Sequence, residues 1–284
     1  MAQTLRQLRR QIRLVGKIHQ ITRAMQMVAA AKLRRVQQRA TEGKVYWQRM
    51  QDVVQEIGAA SSDVQHPLLT PRPVERIGLV VISADKGLCG GYNAQVGREA
   101  RQFLDTCDVP VDIRLAGLKT KSAIQRAGGN VVGEFEKDDR TLAADASRMA
   151  LGLRGWFESG EVDQVHLTYA QFISVGRDKP STIQLLPVPP PEHDEDAPAS
   201  EYIFEPEPEE LFQRLLPRYV DAQVYQMLLE ASASEHAARM RAMAAATENA
   251  EELTEKLTMQ ANRMRQQEIT AQLLDVVGGS EALA

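Results

Sequence analysis

All 13 prolines of the 284-residue chain lie between Pro67 and Pro217, and seven of them fall between Pro187 and Pro208. Proline lacks a backbone N–H and its ring collides with the preceding turn, so it breaks helix interiors. The chain therefore divides into two proline-free ends and a middle of different construction. The boundaries this implies are 1–66, 67–208 and 209–284, with a proline-rich stretch at 187–208 closing the middle.

The first end reads as one long helix. Leu5, Leu8, Ile12 and Val15 recur at three- and four-residue steps, the spacing of a helical seam. After Val15 the apolar stripe moves to Ile18, Ile21, Met25 and Val28, then to Leu33 and Val36, which predicts a local change of supercoil. A helix over 2–57 would be roughly 84 Å long, far beyond the usual helix of a compact domain. The last end behaves alike. Leu215, Tyr219, Val224, Leu228 and Ala231 start a stripe, and Met240, Met243, Thr247, Ala250, Thr254, Leu257, Ala261 and Met264 continue it in heptads. A helix is expected over 218–277, with Gly278-Gly279 as its stop. Each helix has an apolar stripe that it cannot bury alone, so the two are expected to pair as an antiparallel coiled coil.

The middle alternates between apolar runs and helical patterns. Strands are expected over 77–83, 111–115, 131–135, 165–172 and 182–186, and helices over 94–104, 119–126 and 141–157, with Thr141 as a cap. Alternation of this kind predicts an α/β domain, a Rossmann-like and mostly parallel sheet covered on both faces. The last two strands have no helix between them and predict an edge hairpin. Residues 192–210 hold nine acids and no lysine or arginine, the pattern of a solvated, mobile loop.

Little of this points to chemistry. The net charge of −4 implies neither nucleic acid nor a membrane surface. No apolar run approaches the roughly 20 residues that span a bilayer, and no secretory signal opens the chain. Two cysteines, Cys89 and Cys107, are too few for a disulfide framework or a four-cysteine zinc site. The five histidines show no paired spacing, so no metal site is expected. The segment from Asp85 through Gly87, Gly90, Gly91 and Asn93 follows a strand and precedes a helix, where open α/β sheets hold phosphates. It lacks both G-x-x-x-x-G-K-[ST] and G-x-G-x-x-G. The expected role of Gly87, Gly90, Gly91 and Asn93 is a tight structural turn, the glycines supplying positive φ and Asn93 capping the helix. Cys89 is expected to be a buried, inert thiol. Ten lysines and arginines precede the first acid, Glu42, and a basic helix without aromatics predicts acidic protein partners. No catalytic constellation and no cofactor site emerges. A scaffolding or mechanical part fits best. The rivals are a nucleotide-handling α/β enzyme with helical extensions and an unrelated coiled-coil scaffold.

Several segments, in order, carry a resemblance. They are Ile21-Thr22-Arg23-Ala24-Met25-Gln26-Met27, Asp85-Lys86-Gly87-Leu88-Cys89-Gly90-Gly91-Tyr92-Asn93, Leu215-Leu216-Pro217-Arg218-Tyr219, Ser234-Glu235-His236-Ala237-Ala238-Arg239-Met240 and Asn262-Arg263-Met264-Arg265-Gln266. The set resembles the gamma subunit of the F-type ATP synthase, its central rotor shaft, over nearly the whole chain. The resemblance implies a coiled coil that enters the hexamer of alpha and beta subunits, and an α/β foot near the epsilon subunit and the membrane c-ring. It implies transmission of torque, driven by proton or sodium flow, with no catalysis, cofactor or metal at this chain. It also implies a peripheral position on the cytoplasmic side of the plasma membrane, with no inserted segment and no nucleic-acid partner. Met25, Lys32, Arg265 and Gln266 match family positions that touch the surrounding subunits. Gln272 stands where the family usually has Glu, and Ala170 and Lys179 replace its usual Asn and Gln. The inserted cysteine pair of chloroplast versions is absent, which points to a bacterium.

Overall fold

The computed structural model describes residues 4–60, 66–189 and 208–281. The acidic segment expected to be a solvated loop lies, from 190 to 207, outside the described residues. Two compact units are present: Met1–Ala29 with Met240–Ala284, and Ala30–Arg239. The two long helices, α1 (Leu5–Ala60) and α5 (Pro208–Glu281), each contribute to both.

In the first unit α1 and α5 pair. The seam takes Leu8, Thr22 and Ala29 from α1 and Met243 and Ala250 from α5, all buried, with the hydroxyls of Thr22 and Thr247 meeting at 2.8 Å. The expected shift of phase after Val15 does not occur. Ile18, Ile21 and Val28 are 50%, 59% and 57% exposed, and the half-buried His19 and the buried Thr22 and Ala29 hold the inward positions. One unbroken heptad spacing runs from Leu8 through Ile12, Val15, His19, Thr22 and Ala29. A straight continuation with small or polar residues lets the helices approach closely, which the bulkier isoleucines would prevent. On α5 the expected heptads hold: Thr254, Leu257, Ala261 and Met264 are half-buried between exposed neighbours.

The second unit is built on a five-stranded sheet of order β3-β2-β1-β4-β5. Its strands are β1 (Ile77–Ile82), β2 (Val111–Ala116), β3 (Asn130–Glu134), β4 (Gln164–Ser174) and β5 (Arg177–Leu186). The first four are parallel, and β5 runs antiparallel to β4 at the edge. Helices α2 (Tyr92–Thr106), α3 (Lys121–Arg126) and α4 (Leu142–Glu158) make the crossovers. The chain steps from β1 to β2 to β3 and then returns past β1 to β4, so right-handed crossovers put α2 and α3 on one face and α4 on the other. All six residues of β1 are buried, as expected of a central strand covered on both faces. Leu79 and Val81 join Val96, Ala100, Ile113 and Leu115 in one apolar cluster.

The further differences from the sequence expectation lie at the ends of elements. The hairpin strands are longer than expected, because Pro180 sits within β5, where an edge strand tolerates it. Thr141 does not cap α4 through its side chain; its hydroxyl donates to Asp145 Oδ2 at 2.9 Å. The last helix begins ten residues earlier than expected and continues through Pro217. A proline inside a helix costs about 3 kcal/mol, which burial of Phe212, Leu216, Val220 and Val224 offsets. It also runs through Gly278-Gly279 to Glu281, since glycine weakens a helix by only about 1 kcal/mol.

At Gly78 on β1 the helix α4 comes close to the sheet. A Cβ there would stand 2.8 Å from the Trp156 ring of α4, and the Arg114 guanidinium lies 4.1 Å from the centroid of the same ring. Gly78→Ala is therefore expected to destabilise by about 1–3 kcal/mol, the usual cost of overpacking. The measurement is the urea midpoint at unchanged slope; a midpoint equal to that of the parent chain would show that Trp156 can move aside.

Candidate functional site

The C-terminal ends of the parallel strands are where an open α/β sheet would hold a ligand. Here the turn after β1 begins at Ser83, whose hydroxyl donates to Gly117 O and meets Thr120 Oγ1 at 3.0 Å. Asn93 does not cap α2; Gly91 holds that position, without a side-chain cap. Asn93 lies inside the helix and ties the turn together, its Oδ1 accepting from Ala84 N–H at 3.0 Å and its Nδ2 donating to Cys89 Sγ at 3.2 Å. Among Gly87, Gly90 and Gly91 only Gly90 has positive φ, and the second left-handed residue is Leu88, at φ 62. A left-handed leucine costs about 1–2 kcal/mol, so the bonds around it hold it there. The Cys89 thiol is buried, and burial first of all raises its pKa in spite of the nearby Arg239. Burial thus disfavours the thiolate that a nucleophile needs.

The helix α5 lies against this turn. Residues 231–238 of α5 are all buried. The stretch reads Ala-Ser-Ala-Ser-Glu-His-Ala-Ala, six of its eight residues being alanine or serine, so the helix can come close to the turn. Tyr92 Oη donates to Ala231 O at 3.2 Å. Arg239 donates to the carbonyls of Lys86 and Gly87, at 3.3 and 3.4 Å. The turn therefore offers carbonyl oxygens to a cation; a phosphate cradle offers N–H groups.

Two buried polar groups on this stretch are paired from the loop after β3. Glu235 is flanked by Lys137 at 3.2 Å and Arg239 at 2.9 Å. Burial opposes its ionisation, but Lys137, Arg239 and His236 outweigh that and hold the carboxyl below its ordinary range. Asp139 gathers four partners. Its carboxylate accepts from Lys32 Nζ at 2.8 Å and Ser232 Oγ at 2.9 Å and meets His236 Nε2 at 3.0 Å; its carbonyl accepts from Arg39 Nη1 at 2.7 Å. Burial again works against the charge, and the bonds with His236, Lys32 and Ser232 overcome it, so the Asp139 carboxyl also titrates well below the usual range. Among the described residues no group of histidines, cysteines and carboxylates is arranged to hold a metal.

The four residues matched to partner-touching positions are not brought together. Met25 is half-buried on α1, Lys32 is exposed and bound to Asp139, and Arg265 and Gln266 are exposed near the end of α5. Gln266 lines a shallow groove of about 480 Å³ with Arg263, Gln267, Thr270, Ala271 and Leu274. Asp139, Lys137, Ser232 and Arg39 carry no motif that would single them out. The one local signal was the run of small residues around Glu235 and His236, too narrow for a surface helix and too polar for an apolar seam.

Comparison with known proteins decides the family. A family model described as ATP synthase matches residues 4–283. The chain belongs to the ATP synthase gamma family. The ATP synthase gamma chain of Heliobacterium modesticaldum is 42% identical, over 98% of this chain and 99% of that one. Those of Desulfitobacterium hafniense and Dehalococcoides mccartyi are 42% and 41% identical, over 98% and 99% of this chain and the same shares of theirs. A central stalk and c-ring structure of Tetrahymena thermophila mitochondrial ATP synthase is 27% identical, with a TM-score of 0.57 over 80% of this chain and 99% of that one. A Euglena gracilis OSCP/F1/c-ring structure shares the fold, with a TM-score of 0.68 at 18% identity over 98% of this chain and 94% of that one. The fold of this gamma-family chain is thus the expected one: long terminal helices around a mostly parallel α/β sheet.

Removing the Glu235 charge strands Lys137 and Arg239. Glu235→Gln is expected to lower stability at pH 7 by about 3 kcal/mol, as for other broken buried pairs. Glu235 and Asp139 both have folded pKa values below their unfolded values. Their contribution is therefore fully present above about pH 4.5 and is lost as pH falls through the lower folded values. Urea midpoints from pH 7 down to pH 3 should show a flatter acid limb in the variant; an acid limb as steep as that of the parent chain would show that Glu235 does not carry it.

Proposed function

We propose that this gamma-family chain is the central-stalk rotor of an F-type ATP synthase, passing torque between a membrane c-ring and the catalytic beta subunits. The observation that supports this most is that α5 packs against the turn at the strand ends through a buried stretch of its own. An enzyme of this fold would keep the strand ends for substrate. The chain on this reading has no catalytic site and acts by favouring different beta conformations as it turns, which requires contacts that differ between those states. A nucleotide-handling enzyme is disfavoured on the same ground.

The exposed face of α1 supports assembly with other subunits. Leu14, Ile18, Ile21 and Val28 recur at four-, three- and seven-residue steps and are 50–59% exposed. Such a stripe on a helix that already has a partner calls for further protein cover. Its flanking arginines suit an acidic wall. We assign that wall to the alpha and beta subunits, with Met25, Arg265 and Gln266 as contacts, and the sheet-bearing unit to the epsilon subunit and c-ring. None of the helices among the described residues is long and apolar enough to cross a membrane, consistent with a peripheral subunit at the cytoplasmic face of a bacterial plasma membrane.

Two measurements test this reading. The isolated chain should show no saturable ATP binding at millimolar ligand, and saturable binding that Lys86→Ala abolishes would restore the enzyme reading. In the assembled complex Arg265→Ala should reduce ion-driven ATP synthesis severalfold while assembly is kept. An exposed position seldom costs more than about 0.5 kcal/mol of stability, whereas loss of an arginine fork removes a directional contact. Undiminished synthesis, or equal loss of assembly and activity, would remove Arg265 from the contact set.

A further inference from the structure

Asp139 touches both long helices from a loop that is itself braced. Lys32 and Arg39 lie seven residues apart on one face of α1, and Ser232 and His236 lie four apart on one face of α5. One residue thus receives two donors from α1 and two polar side chains from α5. The loop that carries it is pinned to α4: Asp138 N–H donates to Asp145 Oδ2 at 2.8 Å, Thr141 N–H donates to Asp138 O at 3.1 Å, and the buried Asp145 is paired with Arg148. The His236 side chain is 3% exposed, the Asp139 side chain 29% and the Lys32 side chain 48%, so water competes least for the bond with His236.

We propose that Asp139 is the positioning residue through which the sheet-bearing unit grips α1 and α5 together, so that rotation of the sheet turns both helices. This rests on the rotor reading above. Apolar packing resists separation but has no preferred direction, and helices packed only through it can slide and twist. Charge-assisted hydrogen bonds weaken steeply when bent, so a twist of either helix against the loop strains the Asp139 set at once. Leu33 and Val36, buried between Lys32 and Arg39 on α1, supply the packing; the Asp139 bonds supply the angular constraint.

The test uses the whole complex in sealed vesicles, with ATP hydrolysis and ATP-driven ion uptake read in the same preparation. The Asp139→Asn chain keeps the shape and removes the charge. Hydrolysis should change little, while ion uptake per ATP hydrolysed falls severalfold. An unchanged ratio would overturn the assignment. So would a parallel loss of hydrolysis and uptake at constant ratio, the mark of a merely structural residue. Should Asp139→Asn fail to assemble, His236→Gln, which keeps a polar group of similar reach, is judged by the same ratio. The parent complex separates the two readings: vesicles in which it hydrolyses ATP without ion uptake would sink the rotor reading itself, whatever Asp139 does.

Discussion

A buried charge must be paired or it will not stay charged, and this rule governs the middle of α5. Glu235 and His236 sit on a stretch enclosed on every side. Once they are there, Lys137, Asp139 and Arg239 have to be near them. That requirement orders the loop after β3, sets how the turn after β1 faces the helix, and decides which face of α1 is turned toward Asp139. The apolar core of the sheet would tolerate a helix laid over it at many angles. The paired charges select one.

The same stretch lies against the turn where an open α/β sheet would hold a ligand. Alanines and serines let α5 approach the strand ends until backbone meets side chain, as in the Tyr92 to Ala231 bond. Arg239 takes two carbonyls of the glycine turn. Two carbonyls of that turn are thus engaged by the chain's own helix.

Away from the sheet the pairing of α1 and α5 has a different character. Its seam is thin: Leu8 and Met243 are the large residues it buries fully, beside threonines and alanines and the half-buried Ile12, Val15, Leu257 and Met264. Small residues bury little area, so each turn contributes modestly, and length replaces strength. The larger apolar residues of α1, such as Ile18 and Ile21, face outward, which is costly for an isolated protein and sensible for one surrounded by others.

The sequence by itself determined what depends on neighbours along the chain. Proline placement located the two long helices, continuous apolar runs located the buried strands, and the strand–helix alternation gave the parallel sheet and its edge hairpin. These are legible because backbone geometry and burial period are local properties. What only the tertiary structure decided is where distance in sequence collapses. Ile21 and Thr22 fit a helical seam about equally on spacing, and the partner helix chose the smaller. Asn93 fits a cap, but the approach of Ala84 and Cys89 made it a brace. Asp139 lies 107 residues from Lys32 and 97 from His236. A carboxylate has no periodicity to betray its partners, so its role becomes visible only when the fold brings three separate segments within hydrogen-bond reach.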